Sequence, residues 1–248
     1  MKKILITFLF AVLVLPTLAS AGGGGAHLDK VDVDLSNQES LQNGARLFVN
    51  YCLSCHAASY MRYNRMAEDI GLSEEELKKD YMFAATKVGE TMTVAMTAKE
   101  GTTYFGTEVP DLSVIARARG VDWLYTYLRT FYLDDSRPWG VNNGTFKDVG
   151  MPHVLWKLQG LKKAIYKTHE DKEGNKIKVI TGYETVVPGA MSEDEYDNTV
   201  RDLVTFLEYM GEPAKMKRHD LGIKVLIFLA IFFVFAYALK KEYWKDIH

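Results

Sequence analysis

Gly44-Ala45-Arg46-Leu47-Phe48-Val49-Asn50-Tyr51-Cys52-Leu53-Ser54-Cys55-His56 is the stretch on which the reading of this chain turns. Leu41, Ala45, Phe48, Val49 and Cys52 fall at offsets 0, 4, 7, 8 and 11, one face of a helix that runs into the cysteines. The chain has 248 residues and two cysteines, both here. A lone Cys-x-x-Cys is compatible with a disulfide, a thiol-redox pair or half of a zinc site. His56 discriminates among these, because Cys-x-x-Cys-His is the attachment signature of c-type haem. The spacing lets two thioethers reach one edge of a planar macrocycle while the histidine comes up beneath it. Zinc would need a second ligand pair, and no further cysteine supplies one. Thioredoxin-like chemistry would need a β-α-β context in place of this helix. The expectation is one covalently attached haem c, held by Cys52 and Cys55, with His56 on the iron.

Spacing leaves the sixth iron position open among methionine, histidine and no protein ligand. The chain has ten methionines and five histidines besides His56, and most methionines in any protein only pack. Met151 stands out because Gly150 and Pro152 fix the backbone on both sides, within a loop-rich stretch over residues 136–152. His153 is the bis-histidine competitor.

Outward from the motif, the apolar residues gather at the two ends. Lys2 and Lys3 precede an apolar run over residues 4–18, and Ala19-Ser20-Ala21 follows it. That pattern reads as a secretory signal peptide over residues 1–21, cleaved before Gly22. Residues 221–239 hold a single charge, Lys224, and at about 1.5 Å per residue nearly match a hydrocarbon core of roughly 30 Å. Tyr237, Tyr243 and Trp244 suit an interfacial belt. Flanking lysines and arginines balance, so the signal peptide sets the orientation. Residues 22–220 are expected in the periplasm of a bacterial inner-membrane protein, 221–239 in the bilayer and 240–248 in the cytoplasm.

The whole chain carries a net charge of −2. Setting aside Lys2, Lys3, and the four lysines and two acids from residue 221 onward leaves 24 basic against 30 acidic residues, so the exported part is at −6. No basic excess exists to neutralise phosphates, and nucleic acid is not an expected partner. Glu68-Asp69, Glu74-Glu75-Glu76 and Glu193-Asp194-Glu195 are either steering surfaces for a basic partner or ordinary solvated helix faces.

The expected fold is mainly α, with long loops, a small β-hairpin insertion and one C-terminal transmembrane helix. Residues 91–110 read as mostly irregular, and residues 122–132 as a core helix beside the haem. Alternation over residues 161–187, around Glu173-Gly174-Asn175, reads as a hairpin. Ser192-Glu193-Asp194-Glu195 is a capping box opening a helix that carries Tyr196, Val200, Leu203, Val204, Leu207 and Met210 through to Gly211. Glu212-Pro213 ends it before the apolar run.

Several segments together resemble the cytochrome c1 family, the haem subunits of cytochrome bc1 complexes, in its proteobacterial form. The first are the opening stretch and Arg62-Tyr63-x-Arg65, followed by Pro110-Asp111-Leu112-Ser113-x-Ile115-x-Arg117-Ala118-Arg119. Then come Asn142-Asn143-Gly144-Thr145-Phe146, Gly150-Met151-Pro152-His153-Val154-Leu155-Trp156, and Phe206 to Pro213 leading into Arg218-x-x-Leu221-Gly222. The resemblance implies a cytochrome c-like haem domain in which Met151 is the distal iron ligand. It further implies that Arg119 pairs with a haem propionate and that Pro110 packs on the haem face. It implies no bond chemistry on an organic substrate. Single electrons would pass from the Rieske iron-sulfur protein to a c-type cytochrome acceptor, within ubiquinol-cytochrome c reductase and beside cytochrome b in the lipid bilayer. Tyr104-Phe105-Gly106 and Val109 depart from the family pattern, so that wall of the pocket is left unassigned. A free-standing membrane-anchored cytochrome c donating to a terminal oxidase is the alternative, and a tethered haem sensor with an open distal site the third reading.

Overall fold

The helix expected from the spacing of Leu41 to Cys52 begins as α1, Gln38–Leu47, where the Asn37 side-chain oxygen accepts from the Ser40 N–H at 3.1 Å. It then widens into a π-turn, Phe48–Cys52, in which the Leu53 N–H donates five residues back to the Phe48 carbonyl at 2.9 Å. Leu41, Ala45, Phe48 and Val49 are buried as the spacing requires. The wider turn rotates Leu53 into the core and leaves Cys52 only half-buried. This computed structural model describes residues 27–170 and 176–247. The signal peptide expected over 1–21 and the turn at Glu173-Gly174-Asn175 lie outside the described residues.

From the π-turn the chain passes through β1 (Ala58–Arg62), α2 (Tyr63–Ile70), α3 (Glu74–Asp80), β2 (Thr91–Met92), α4 (Ala98–Phe105), α5 (Ile115–Arg119) and α6 (Val121–Arg129). It continues through β3 (Phe131–Leu133), β4 (Val141–Asn143), α7 (Trp156–Gln159), β5 (Gly160–Glu170), β6 (Lys176–Pro188), α8 (Glu193–Gly211) and α9 (Lys215–Tyr243). The described strands form three separate antiparallel pairs, β1-β2, β3-β4 and β5-β6. The fold is therefore mainly α with a hairpin insertion, as expected.

The core sits where α1, α6 and α8 meet. The Ser192–Glu195 capping box forms and opens α8, which buries Tyr196, Val200, Leu203, Val204, Leu207 and Met210 on the face the spacing marks. α1 crosses α8 so closely that a Cβ on Gly44 would lie 2.1 Å from the Asp202 carbonyl oxygen and 2.7 Å from Phe206 Cβ. Phe48 and Phe206 meet beside the crossing, ring centroids 5.6 Å apart. The chain ahead of α1 lies along α6: Arg129 binds Asp197 through two 2.6 Å bonds and Asp29 through a third of 2.6 Å, while Lys30 reaches Asp122.

Two expectations are corrected. Residues 91–110 are not mostly irregular, because Thr97 and Glu100 form a reciprocal capping box that starts α4. The core helix expected over 122–132 stops at Arg129. The Gly144 N–H donates to the Thr130 carbonyl at 2.9 Å and Asn143 Nδ2 to the Tyr127 carbonyl at 2.8 Å, so the β4 turn takes acceptors that a further helical turn would have used. Phe131, Tyr132 and Leu133 pair instead with Asn143, Asn142 and Val141.

β5 and β6 form the expected hairpin, in register from Gly160↔Pro188 to Glu170↔Lys176, with irregularities at Leu161/Lys162 and Ile165/Tyr166. Tyr183 of β6 meets Tyr132 of β3, ring centroids 6.2 Å apart, which fastens the ribbon to the domain.

α8 ends at Gly211, as expected, and α9 starts after a short joint containing Pro213. α9 spans 29 residues, about 43 Å at the α-helical rise, and none of them is buried. It is long and apolar enough to cross a membrane. Its base is tied down by Lys215–Glu208 at 2.6 Å, Arg218–Glu212 at 2.6 Å and Lys217–Asp69 at 3.6 Å.

Candidate functional site

Cys52, Cys55, His56, Pro110, Arg119 and Met151 all line one cavity of about 370 Å³, a size ordinary for a cofactor site. They come from the turn after α1, the run into α5, the end of α5 and the loop after β4. Leu203 and Leu207 of α8 add an apolar wall.

The Cys-x-x-Cys-His segment closes the helix. Cys55 N–H and His56 N–H both donate to the Cys52 carbonyl, at 3.0 and 2.8 Å. The two thiols are not joined to each other. Burial, reinforced by the neighbouring Cys55 sulfur, pushes the Cys52 thiol up to about 12.

His56 Nδ1 lies 2.7 Å from the Pro110 carbonyl oxygen. A carbonyl only accepts, so Nδ1 carries the proton and the lone pair is left on Nε2. Burial lowers the pKa of His56, against the opposing pull of the Pro110 carbonyl and Asp111, and favours the neutral ring that a metal requires. Pro110 thus orients His56 through its backbone, besides lining the cavity. Asp111 fixes that backbone by accepting from Ser59 N–H at 2.9 Å and Ser113 N–H at 2.7 Å.

Arg119 lies over the Trp123 ring at 4.9 Å and the Phe146 ring at 5.8 Å. Among the described residues it pairs with no carboxylate, so the guanidinium stands at the cavity with its hydrogen-bonding capacity uncommitted to an acid. Arg117, by contrast, faces Glu212 at 3.7 Å.

Met151 is carried by a loop whose shape Asn142 and Asn143, both buried, impose. Asn142 Oδ1 accepts from Asn143 N–H and Asp148 N–H at 2.9 and 2.8 Å; Asn143 Oδ1 accepts from Thr145 N–H and Phe146 N–H at 2.9 and 3.0 Å. Asp148, at φ 61°, is the described non-glycine residue in the left-handed region. The Tyr127 hydroxyl donates to Met151 Sδ at 3.3 Å. His153 is not in the cavity wall. It is buried and stacked on Phe131, centroids 4.8 Å apart and planes 2° from parallel. Among the described residues its Nε2 has no hydrogen-bond partner.

Residues 32–247 match the Cytochrome C1 family. The chain belongs to the cytochrome c1 family. It is 48% identical over 247 residues to cytochrome c1 of Allochromatium vinosum, spanning 100% of this chain and 99% of the relative. It is 48% identical over 240 residues to a protein of Nitrosomonas europaea named ammonia monooxygenase gamma subunit, covering 97% of each. Cytochrome c1 of Rhodospirillum rubrum is 25% identical over 272 residues, covering 95% of this chain and 94% of that one. Members of the cytochrome c1 family are electron-transfer haem subunits of the bc1 complex, and the chain accordingly carries one covalently bound haem c. The donor set fits that group: paired thiols, an imidazole with a free Nε2, a thioether and an arginine facing a largely apolar cavity.

Tyr51, Phe105, Phe146 and Val149 also line the cavity without having been marked as pocket residues by the sequence, and so do Trp123 and Tyr127, from the helix expected beside the haem. Trp123 and Tyr127 carried a signal, since they lie four apart on α6. The wall left unassigned around Tyr104 to Val109 is α4 and its exit: Phe105, Thr107, Glu108 and Val109 face the cavity, while Tyr104 does not. The acidic clusters have structural duties. Asp69 is nearly buried, bound to Arg65 Nε at 2.5 Å and the Tyr209 hydroxyl at 2.9 Å. Glu74 to Glu76 and Glu193 to Glu195 occupy the first turns of α3 and α8, where the helix dipole favours acids.

Proposed function

We propose that this member of the cytochrome c1 family passes single electrons from the Rieske iron-sulfur protein to a c-type cytochrome acceptor, within ubiquinol-cytochrome c reductase and beside cytochrome b. The observation that carries the reading is the convergence on one apolar cavity of six residues spread from position 52 to position 151. The bound haem supplies a one-electron ferric/ferrous couple. Cys52 and Cys55 anchor it through thioethers. His56, oriented by the Pro110 carbonyl, would offer Nε2 to the iron. Met151 would offer its sulfur to the iron as the second protein ligand, and a His/Met pair suits the high-potential end of a chain. Arg119, beside Trp123, would balance a propionate. Leu203, Leu207 and Val149 keep water from the ligands.

In the same reading, residues 1–21 are a cleaved signal peptide and 22–220 a periplasmic haem domain. Residues 221–239 span the bacterial inner membrane and 240–248 lie in the cytoplasm. The unburied apolar surface of α9 supports the span.

Two measurements test this. Mild detergent extraction is expected to recover the chain with cytochrome b and the Rieske protein; isolation alone would favour the free-standing cytochrome. Recovery with the subunits of a monooxygenase would favour the assembly named for the Nitrosomonas relative. Met151→Leu is expected to abolish the methionine-iron charge-transfer band, and an unaltered spectrum would remove Met151 from the ligand set.

A further inference from the structure

The distal side holds a contact that neither the sequence pattern nor the family assignment supplies. Tyr127 enters the cavity from α6, and the one hydrogen-bond acceptor its hydroxyl has among the described residues is Met151 Sδ, at 3.3 Å. Sulfur is a weak acceptor, so this bond persists only where the donor is held against it. Tyr127 is held from three sides. Its ring stacks on Trp123 at 4.9 Å with the planes 10° apart, and Phe131 meets it edge-on at 5.2 Å. Its backbone carbonyl accepts from Asn143 Nδ2 at 2.8 Å, from the same asparagine that shapes the Met151 loop. Arg119 also lies over the Trp123 ring, at 4.9 Å. Arginine, tryptophan, tyrosine and methionine are therefore linked by successive contacts along the cavity wall.

We propose that Tyr127 is a positioning residue for the distal ligand, its hydroxyl holding the Met151 sulfur toward the cavity and drawing electron density from it. This rests on the reading of Met151 as the iron ligand. One effect follows. A sulfur that already shares a lone pair with a proton is the poorer donor to ferric iron, which favours the reduced form and raises the potential.

The test uses the full-length protein in its membrane complex, with Tyr127→Phe to keep the ring and the stack. Imidazole is expected to bind the oxidised variant about threefold more weakly than the parent, because a sulfur freed of the hydrogen bond grips ferric iron harder. The midpoint potential is expected to fall by about 28 mV, the same threefold factor at 59 mV per decade for one electron. A purely packing role would move thermal stability and leave the potential where it was. Unchanged imidazole affinity and unchanged potential overturn the proposal. Met151→Leu, measured alongside, separates the two readings. If it loses the band while Tyr127→Phe behaves as the parent, only the role of Tyr127 fails. If it keeps the band, the ligand assignment fails and this inference fails with it.

Discussion

Gly44→Ala offers the sharpest test of the architecture, because two effects of opposite sign act on it. In a helix interior, alanine is favoured over glycine by about 1 kcal/mol. Propensity alone therefore predicts a more stable protein. The α1–α8 crossing predicts the reverse, since the new methyl would sit 2.1 Å from the Asp202 carbonyl oxygen, 2.7 Å from Phe206 Cβ and 2.8 Å from the Asp202 carbonyl carbon. Two of these three contacts are with backbone, so no side-chain rotation relieves them, and the helices must part by roughly 1 Å to restore van der Waals distance. Overpacking of this kind costs about 1–3 kcal/mol, and a backbone clash belongs at the upper end. The net expectation is a loss of about 2 kcal/mol, or roughly 4–8 °C in Tm for a domain of this size. Thermal unfolding of the haem-loaded protein, followed by far-UV circular dichroism, measures it. Because α1 leads directly into Cys52, haem content per chain should fall in the same variant. A Tm at or above that of the parent would refute the close crossing.

Arg129→Met leaves Asp29 and Asp197 without their shared partner and should cost about 2 kcal/mol, read as a lower denaturation midpoint with an unchanged slope. Burial tends to raise the pKa of Asp122, but the hydrogen bonds from Lys30 Nζ and Val31 N–H outweigh that and hold it below the ordinary carboxylate range. A depressed carboxylate stabilises above its unfolded pKa, and that contribution is lost as pH falls through the folded one. Protease cleavage of residues 27–36 should therefore stay slow at neutral pH and accelerate only in acid, whereas Asp122→Asn should be cleaved quickly throughout. Thr97→Ala removes the cap of α4 and should loosen that helix by about 1 kcal/mol. Since Phe105 of α4 lines the cavity, hydrogen exchange in residues 98–105 and quenching of cavity fluorescence by small molecules should both rise.

What could be read in the sequence is what rests on local physics. The Ser192 box, the α8 stripe and the end of α8 ahead of Pro213 all follow from hydrogen bonds within four residues and from period 3.6. The Thr97–Glu100 box carried the same signal, but the glycines and threonines that follow it masked a short helix. The end of α6 could not be read, because the groups that stop it, on Asn143 and Gly144, belong to a turn more than a dozen residues later. The same division runs through the site. Cys52, Cys55 and His56 are legible because their chemistry requires adjacency. The hydrogen bond between Tyr127 and Met151 joins residues 24 apart through a loop shaped by buried asparagines, and no spacing rule reaches it.

The distance along the chain between the two proposed axial residues has a further meaning. His56 and Met151 stand about 95 residues apart, so binding them to a common centre ties a ring into the chain. In the chain-entropy account, a ring of that size restricts the unfolded ensemble by roughly 4–5 kcal/mol. Unlike a disulfide, this tie reopens whenever the sulfur lets go. Linkage then requires that the oxidation state gripping Met151 harder also be the harder to unfold. Fold stability and electron affinity become two readings of one equilibrium.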